Sequence, residues 1–303
     1  MIEILGLHAL WGASIPMSKQ LLSFTSPTVL TAIRMLSSGV LLFAVNHFRN
    51  TIPLNLNPRF WLYNGQIIVA IFLKYQLRNW SLAYMPASKM SFFLNITPFI
   101  VALFAYVAFN DKLTLKQWIG LAIGFLGMIP LIITSSSGEQ GLGEFLYVSW
   151  AELALLGAVC VEAYSMIMTR ILIRDHKQSV ILSNGIRMLG AGALALGIIG
   201  TTDIPFEIND IGQFTLWMTA LVLLSNVICH NYRLHLYKYY SVTFLAFTDF
   251  ISPLFTAFYS WMFLNETIGW HYAVSAVIVI FGLYIFYKDE LKAIYVKPEV
   301  AVQ

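Results

Sequence analysis

Ionisable side chains set inside long apolar runs are where this chain can do chemistry. Lys74 and Arg78 stand four residues apart, so on a helix they share one face. Asn226, His230, Arg233 and Tyr237 fall at i, i+4, i+7 and i+11, one continuous stripe on another helix. Lys89 opens a further apolar run. Bases lining a cavity attract carboxylate or phosphate, and arginine can hold either with two parallel hydrogen bonds. Acidic groups are fewer. Glu162 and Asp249 can each hold an amine or a sulfonium, carry a proton, or neutralise a neighbouring base. Trp11 can stack a flat ring, Tyr164 adds an aromatic with a polar tip, and Asn95 can bond a ligand or bridge helices. The competing reading for Arg78, Arg233 and the bases near them is snorkelling, with the charged heads drawn to the lipid headgroups.

The elements that position these groups are membrane helices. The 303 residues are 58% hydrophobic and only 11% charged, with a mean hydropathy of +0.73. Globular chains carry about 25% charged residues, which excludes an ordinary soluble domain. A net charge of +3 is too small and too dispersed for nucleic-acid binding. Cys160 and Cys229 both lie in apolar runs and read as buried thiols rather than a disulfide framework. The sequence contains no Walker A loop, no His-Glu-x-x-His, no Cys-x-x-Cys and no Gly-x-Ser-x-Gly, and His8, His47, His176 and His271 are scattered. Catalysis, a resident metal and a cofactor are therefore not expected.

A helix needs about 20 apolar residues to cross the hydrocarbon core. Ten segments qualify: 2–22, 27–46, 59–82, 86–109, 113–133, 149–173, 178–200, 213–236, 239–264 and 267–287. Met1-Ile2-Glu3 lacks the positive start of a cleaved signal, so the first segment is expected to stay as a helix. The connections at 20–27, 134–148, 201–212 and 265–270 hold no Lys or Arg, whereas the opposite set holds Arg49, Arg59, Lys112, Lys116, Arg174, Lys177, Lys288, Lys292 and Lys297. The positive-inside rule then puts both termini in the cytoplasm. The connection flanked by Arg78 and Lys89 is the exception.

The chain also repeats itself. Ile33-Arg34-Met35-Leu36 up to Gly39 returns as Ile186-Arg187-Met188-Leu189 up to Gly192. Thr97-Pro98-Phe99 leading to Asn110-Asp111 returns, 155 residues on, as Ser252-Pro253-Leu254 leading to Asn265-Glu266. Five helices per half is an odd number, so the second copy must cross in the reverse sense and give an inverted repeat. The expected fold is an all-α integral membrane protein of ten transmembrane helices in two inverted five-helix repeats, over 1–133 and 149–288. A connecting loop at 134–148 and a tail at 289–303 complete the division. On the 155-residue offset, Arg78 corresponds to Arg233, and the two are expected at opposite gates of a cavity. Arg34 and Arg187 are expected to brace the bundle. Pro16, Pro98 and Pro253 read as helix kinks that can double as hinges. Gly120 and Gly124 form a small-xxx-small motif for close packing, within the bundle or between subunits.

Trp11-Gly12-Ala13-Ser14, Ser26-Pro27 before Arg34, Trp80 to Tyr84 before Pro86-Ala87-Ser88, and Pro98 before Asn110-Asp111, Trp118 and Gly120 follow in order. Pro253, Asn265-Glu266 and Gly282 echo them in the second half. This pattern resembles the drug/metabolite transporter superfamily, EamA-like branch, across nearly the whole chain. It departs in having Asn110-Asp111 where the family has Gly-Glu, and in the charge on its third helix. The resemblance implies a central cavity lined by helices one, three, four, six, eight and nine, and transport by alternating access. It implies no particular cargo.

The mixed lining fits a zwitterionic or anionic solute resembling an amino acid, and the family includes carriers of S-adenosylmethionine-type metabolites. Efflux of lipophilic cations is the alternative, against which Lys74, Arg78 and Arg233 weigh. A non-transporting scaffold or intramembrane enzyme is the third. The expected partners are a small-molecule substrate and the lipid bilayer of a bacterial inner membrane. A coupling proton, a counter-substrate and a homodimer stay open.

Overall fold

The computed structural model describes residues 2–48, 58–109, 114–127, 129–130, 144–145, 148–176, 180–236, 245, 249 and 252–296. The helices are α1 (Ile2–Gly12), α2 (Ser14–Leu21), α3 (Pro27–Phe48), α4 (Pro58–Tyr84), α5 (Ala87–Phe93), α6 (Thr97–Phe109), α7 (Leu115–Leu126), α8 (Trp150–His176), α9 (Val180–Thr201), α10 (Ile211–Leu221), α11 (His230–Leu236), α12 (Ser252–Leu264) and α13 (Trp270–Val296). A two-residue hairpin, β1 (Glu144–Phe145) with β2 (Val148–Ser149), leads into α8. Among the described residues, five stretches are long and apolar enough to cross a membrane: Pro27–Phe48, Ala87–Phe104, Trp150–Thr169, Ile181–Thr201 and Ile211–Leu236. At 27 residues α4 also has the length, but its Asn, Gln, Lys and Arg lower its hydropathy. Large apolar side chains such as Val107, Leu115, Ile211 and Val277 are exposed, a surface suited to lipid.

The helices that break do so for identifiable reasons. Proline lacks an N–H and its ring collides with the carbonyl four residues back. Pro98 frees the carbonyl of Leu94, where α5 passes through a 3-10 turn, Leu94–Ile96, before α6. The Thr97 hydroxyl donates to that carbonyl at 2.6 Å. Pro16 stands in the same relation to Gly12, at the α1–α2 break, and the Thr256 hydroxyl of α12 donates to the Gly12 carbonyl at 2.8 Å. Between α10 and α11 the chain widens into a π-helix, Val222–Cys229, a feature frequent at functional sites.

The repeated Ile-Arg-Met-Leu motif proves to be a contact between the halves. A side chain at Gly39 of α3 would collide with Leu189 of α9, and one at Gly192 of α9 would collide with Leu36 of α3. Each glycine admits the leucine of the other copy, so α3 and α9 cross where the two repeats meet. The two arginines act in the same reciprocal way. Arg34 donates to Ser18 in its own half at 3.3 Å and to Asn226 in the other at 2.8 and 3.0 Å. Arg187 donates to Thr169 in its own half at 3.1 Å and to Asn64 in the other at 3.3 Å.

The small-xxx-small motif packs within the chain. A Cβ on Gly120 would lie 2.5 Å from the Gly282 carbonyl oxygen, and one on Gly282 would lie 2.7 Å from the Gly124 nitrogen. This brings α7 against α13. Glu266, beyond α12, accepts from the Ala87 and Ser88 N–H groups at 2.7 and 2.9 Å. The Asn-acid motif of the second half thus caps the N-terminus of α5, where the helix dipole favours a negative charge. Its counterpart Asn110-Asp111 lies outside the described residues.

Candidate functional site

The broken helices surround a set of charges. Glu162, on α8, faces α4: Lys74 Nζ lies 3.5 Å from one carboxylate oxygen and Arg78 Nη1 3.6 Å from the other. Lys74 and Arg78 share a face because they are four residues apart, and Glu162 sits between their heads. Across the chamber, Arg233 of α11 pairs with Asp249 and lies over the Trp11 ring, 5.2 Å from its centroid. His230, one turn before Arg233, meets the same indole edge-on at 6.0 Å. Arg233 is buried and engaged with Asp249 and Trp11 rather than turned to the membrane surface.

These side chains partition three adjoining chambers of about 80, 30 and 20 Å³. Trp11 lines all three. Glu162 and Arg233 separate the first from the second, Arg78 the first from the third, and Lys74 the second from the third. Asn95 and Asp249 line the first, and His230 the second. The walls are therefore movable side chains that carry the charge. Three bases face two carboxylates around one indole.

The structure thus brings together Trp11, Lys74, Arg78, Asn95, Glu162, His230, Arg233 and Asp249 from segments spread over the whole sequence. Three other expected residues lie elsewhere. Lys89 is buried in an ion pair of 3.0 Å with Glu152, away from the chambers. Glu152 is also part of a capping box at the start of α8: it accepts from the Ser149 N–H at 2.8 Å, and its own N–H donates to the Ser149 hydroxyl. Asn226 is fully buried and taken up by Arg34. Tyr164 donates to Gln66 at 3.0 Å in an open apolar groove of about 750 Å³ lined by Trp61, Leu73 and Phe104. Tyr237 lies outside the described residues.

Arg78 and Arg233 both line the largest of the three chambers, together with Glu162. They are not repeat partners by contact. Asn79 donates to Thr31 at 2.9 Å in the first half, and Asn184 donates to Asn231 at 3.2 Å in the second. Thr31 and Asn184 are 153 residues apart, the spacing of the Ile-Arg-Met-Leu motifs, so Asn79 answers to Asn231 and Arg78 to His230. The spacing reaches 155 only by Pro253.

His8 is a site neighbour that the sequence left scattered. It is buried, its Nδ1 lies 3.0 Å from the Ser252 hydroxyl and 3.8 Å from the Asp249 carboxylate. The available signal was its i, i+3 relation to Trp11, which puts both on one face of α1.

Known proteins give this arrangement a context. A crystal structure 15% identical in sequence superposes with a TM-score of 0.70 over 96% of this chain and 97% of that one, which shows the same fold. Among curated proteins, the S-adenosylmethionine/S-adenosylhomocysteine transporter of Chlamydia muridarum is 27% identical over 95% of this chain and 91% of its own length. The protein of the same name from Chlamydia trachomatis serovar D is 27% identical over 95% and 88%. An uncharacterized transporter of Archaeoglobus fulgidus is 24% identical over 74% and 75%. The sequence model of the EamA-like transporter family matches residues 1–133 and 149–288. The chain therefore belongs to the EamA-like transporter family, as a multi-pass membrane carrier of a small molecule and not an enzyme.

Proposed function

We propose that the chain carries S-adenosylmethionine or a close relative of it through the chamber around Trp11, by alternating access. The observation that supports this most is the composition of the walls: three bases, two carboxylates and one indole converge within a few ångströms. Such a solute presents a carboxylate, an ammonium, a sulfonium and a flat purine. Arg233 takes the carboxylate, since a guanidinium matches it with two parallel bonds. Glu162 takes the cationic centre in exchange for one of its two bases. Trp11 stacks the purine. The names of the chlamydial relatives point to the same class of solute.

A molecule of that size exceeds the chambers as they stand, so it must displace the side chains that divide them. Binding then rearranges the ion pairs linking α4 to α8 and α11 to Asp249, and the breaks at Gly12–Ser14 and Leu94–Ile96 supply hinges. In the proposed arrangement the chain crosses a bacterial inner membrane ten times, in two inverted repeats over 1–133 and 149–288, with both termini in the cytoplasm. Exchange against a second solute drives it.

Thermal unfolding of the purified carrier in detergent, over a panel of metabolites, tests the assignment. A ligand at 100 times its dissociation constant stabilises by about 2.7 kcal/mol. S-adenosylmethionine and S-adenosylhomocysteine are expected to raise the midpoint, and lipophilic cations such as ethidium to leave it unmoved. The opposite pattern would favour drug efflux.

A further inference from the structure

We propose that Asp249 is an internal stand-in for the carboxylate of the transported solute, occupying Arg233 in the empty carrier until the solute's own carboxylate replaces it. This rests on the chamber being the transport site, and it assigns Asp249 a role opposite to that of Glu162. The two acids differ in how they are held. Glu162 lies between two bases, at 3.5 and 3.6 Å. Among the described residues, Asp249 has Arg233 as its closest basic partner, with the His8 ring farther off at 3.8 Å.

Within that pair the base is the more buried and the acid the more accessible. The Arg233 side chain is 9% exposed and held over Trp11, whereas the Asp249 side chain is 31% exposed and faces the largest chamber. Replacing one carboxylate by another on the same guanidinium exchanges like for like, so the buried charge on Arg233 is never left bare. A cation without a carboxylate offers no such exchange, since it would have to draw Asp249 off Arg233 and bring no carboxylate to put in its place. The displaced carboxylate keeps a second base beside it. His8 lies 3.8 Å away and is steadied by Ser252 at the start of α12. Asp249 thus selects for solutes that carry a carboxylate and couples their arrival to the segment leading into α12.

The two roles open to Asp249 predict opposite signs. If it held the cationic end of the solute, Asp249→Asn would weaken binding. As a stand-in, its removal frees Arg233 of a competitor. Titration calorimetry of the purified full chain in detergent would compare wild type with Asp249→Asn, using S-adenosylmethionine, its decarboxylated analogue and L-methionine as probes. The variant is expected to bind S-adenosylmethionine about tenfold more tightly, a difference of about 1.4 kcal/mol, with no gain for the decarboxylated analogue. Weaker binding of S-adenosylmethionine, or an equal gain for both, overturns the proposal. If wild type fails to bind S-adenosylmethionine, the substrate assignment falls, and the variant's affinity for L-methionine still decides the role of Asp249: a gain supports it and no gain overturns it. Asp249→Ser, which also frees Arg233, replaces Asp249→Asn if the latter does not fold.

Discussion

Glu162→Gln is expected to reduce transport by about 100-fold or more, because breaking a buried, multiply paired charge costs about 3–5 kcal/mol. In the native chamber the carboxylate joins α8 to α4 through Lys74 and Arg78. With an amide there, two like charges on one face of α4 confront each other without a counterion, and the solute's cationic centre loses its partner. The loss has two sources, and a second variant separates them. Lys74→Met combined with Glu162→Gln removes one base with the acid, so the fold is expected to recover most of its thermal stability. Uptake should stay absent, because the cation site is still gone. Full recovery of uptake in the double variant would show that Glu162 serves only to neutralise its neighbours. Glu162→Asp, which keeps the charge, is expected to retain part of the activity.

The second large effect is on stability. Lys89→Met leaves Glu152 buried at the start of α8 without its base, and losses of about 3–5 kcal/mol follow from removing one partner of such a pair. Glu152 keeps its bond from the Ser149 N–H, which lessens the penalty without cancelling it. Thermal unfolding in detergent should show a marked drop for Lys89→Met and near-complete recovery for Lys89→Met with Glu152→Gln. Solute affinity of the folded protein should be unchanged in both. An unaltered midpoint with lost affinity would return Lys89 to the chamber, where its position in the sequence had suggested it belonged.

Lys89 illustrates what the sequence could and could not convey. Membrane spans announce themselves through apolar length, and the repeat through motifs kept in order, so the helical fold and the carrier class were legible. The chemistry of the chamber was legible in kind, because charge inside apolar runs is rare and costly. Its pairings were not. Lys89 opens α5 close to Lys74 and Arg78 in sequence, yet its partner is Glu152, more than sixty residues away, and no periodicity connects them. A clue existed in Ser149-x-x-Glu152, the signature of a helix start, which marks Glu152 as engaged with backbone and hence as fixed. Asn226 belonged to the right stripe, but the stripe is wide enough to serve two neighbours. Its upper part reaches Arg34 while His230 and Arg233 reach Trp11.

The offset between repeats had a similar limit. A single number, 155, aligned Pro98 with Pro253 but shifted the segment 213–236 by three residues, pairing Arg78 with Arg233. Contacts that recur in both halves, Asn79 with Thr31 and Asn231 with Asn184, give the true register there. The arginines of the Ile-Arg-Met-Leu motif were read as braces, and the structure shows each reaching across to the other repeat. Reciprocal packing of Gly39 on Leu189 and Gly192 on Leu36 lies beyond any one-dimensional reading, since it depends on where two helices cross.

The central claim is that one chamber, walled by Trp11, three bases and two carboxylates, carries an S-adenosylmethionine-type zwitterion. Uptake of labelled S-adenosylmethionine into proteoliposomes preloaded with S-adenosylhomocysteine tests it most directly. The account predicts saturable uptake that requires the internal solute and is abolished by both Trp11→Ala and Glu162→Gln. Absent uptake by the intact wild-type carrier, or uptake that survives both substitutions, would contradict it.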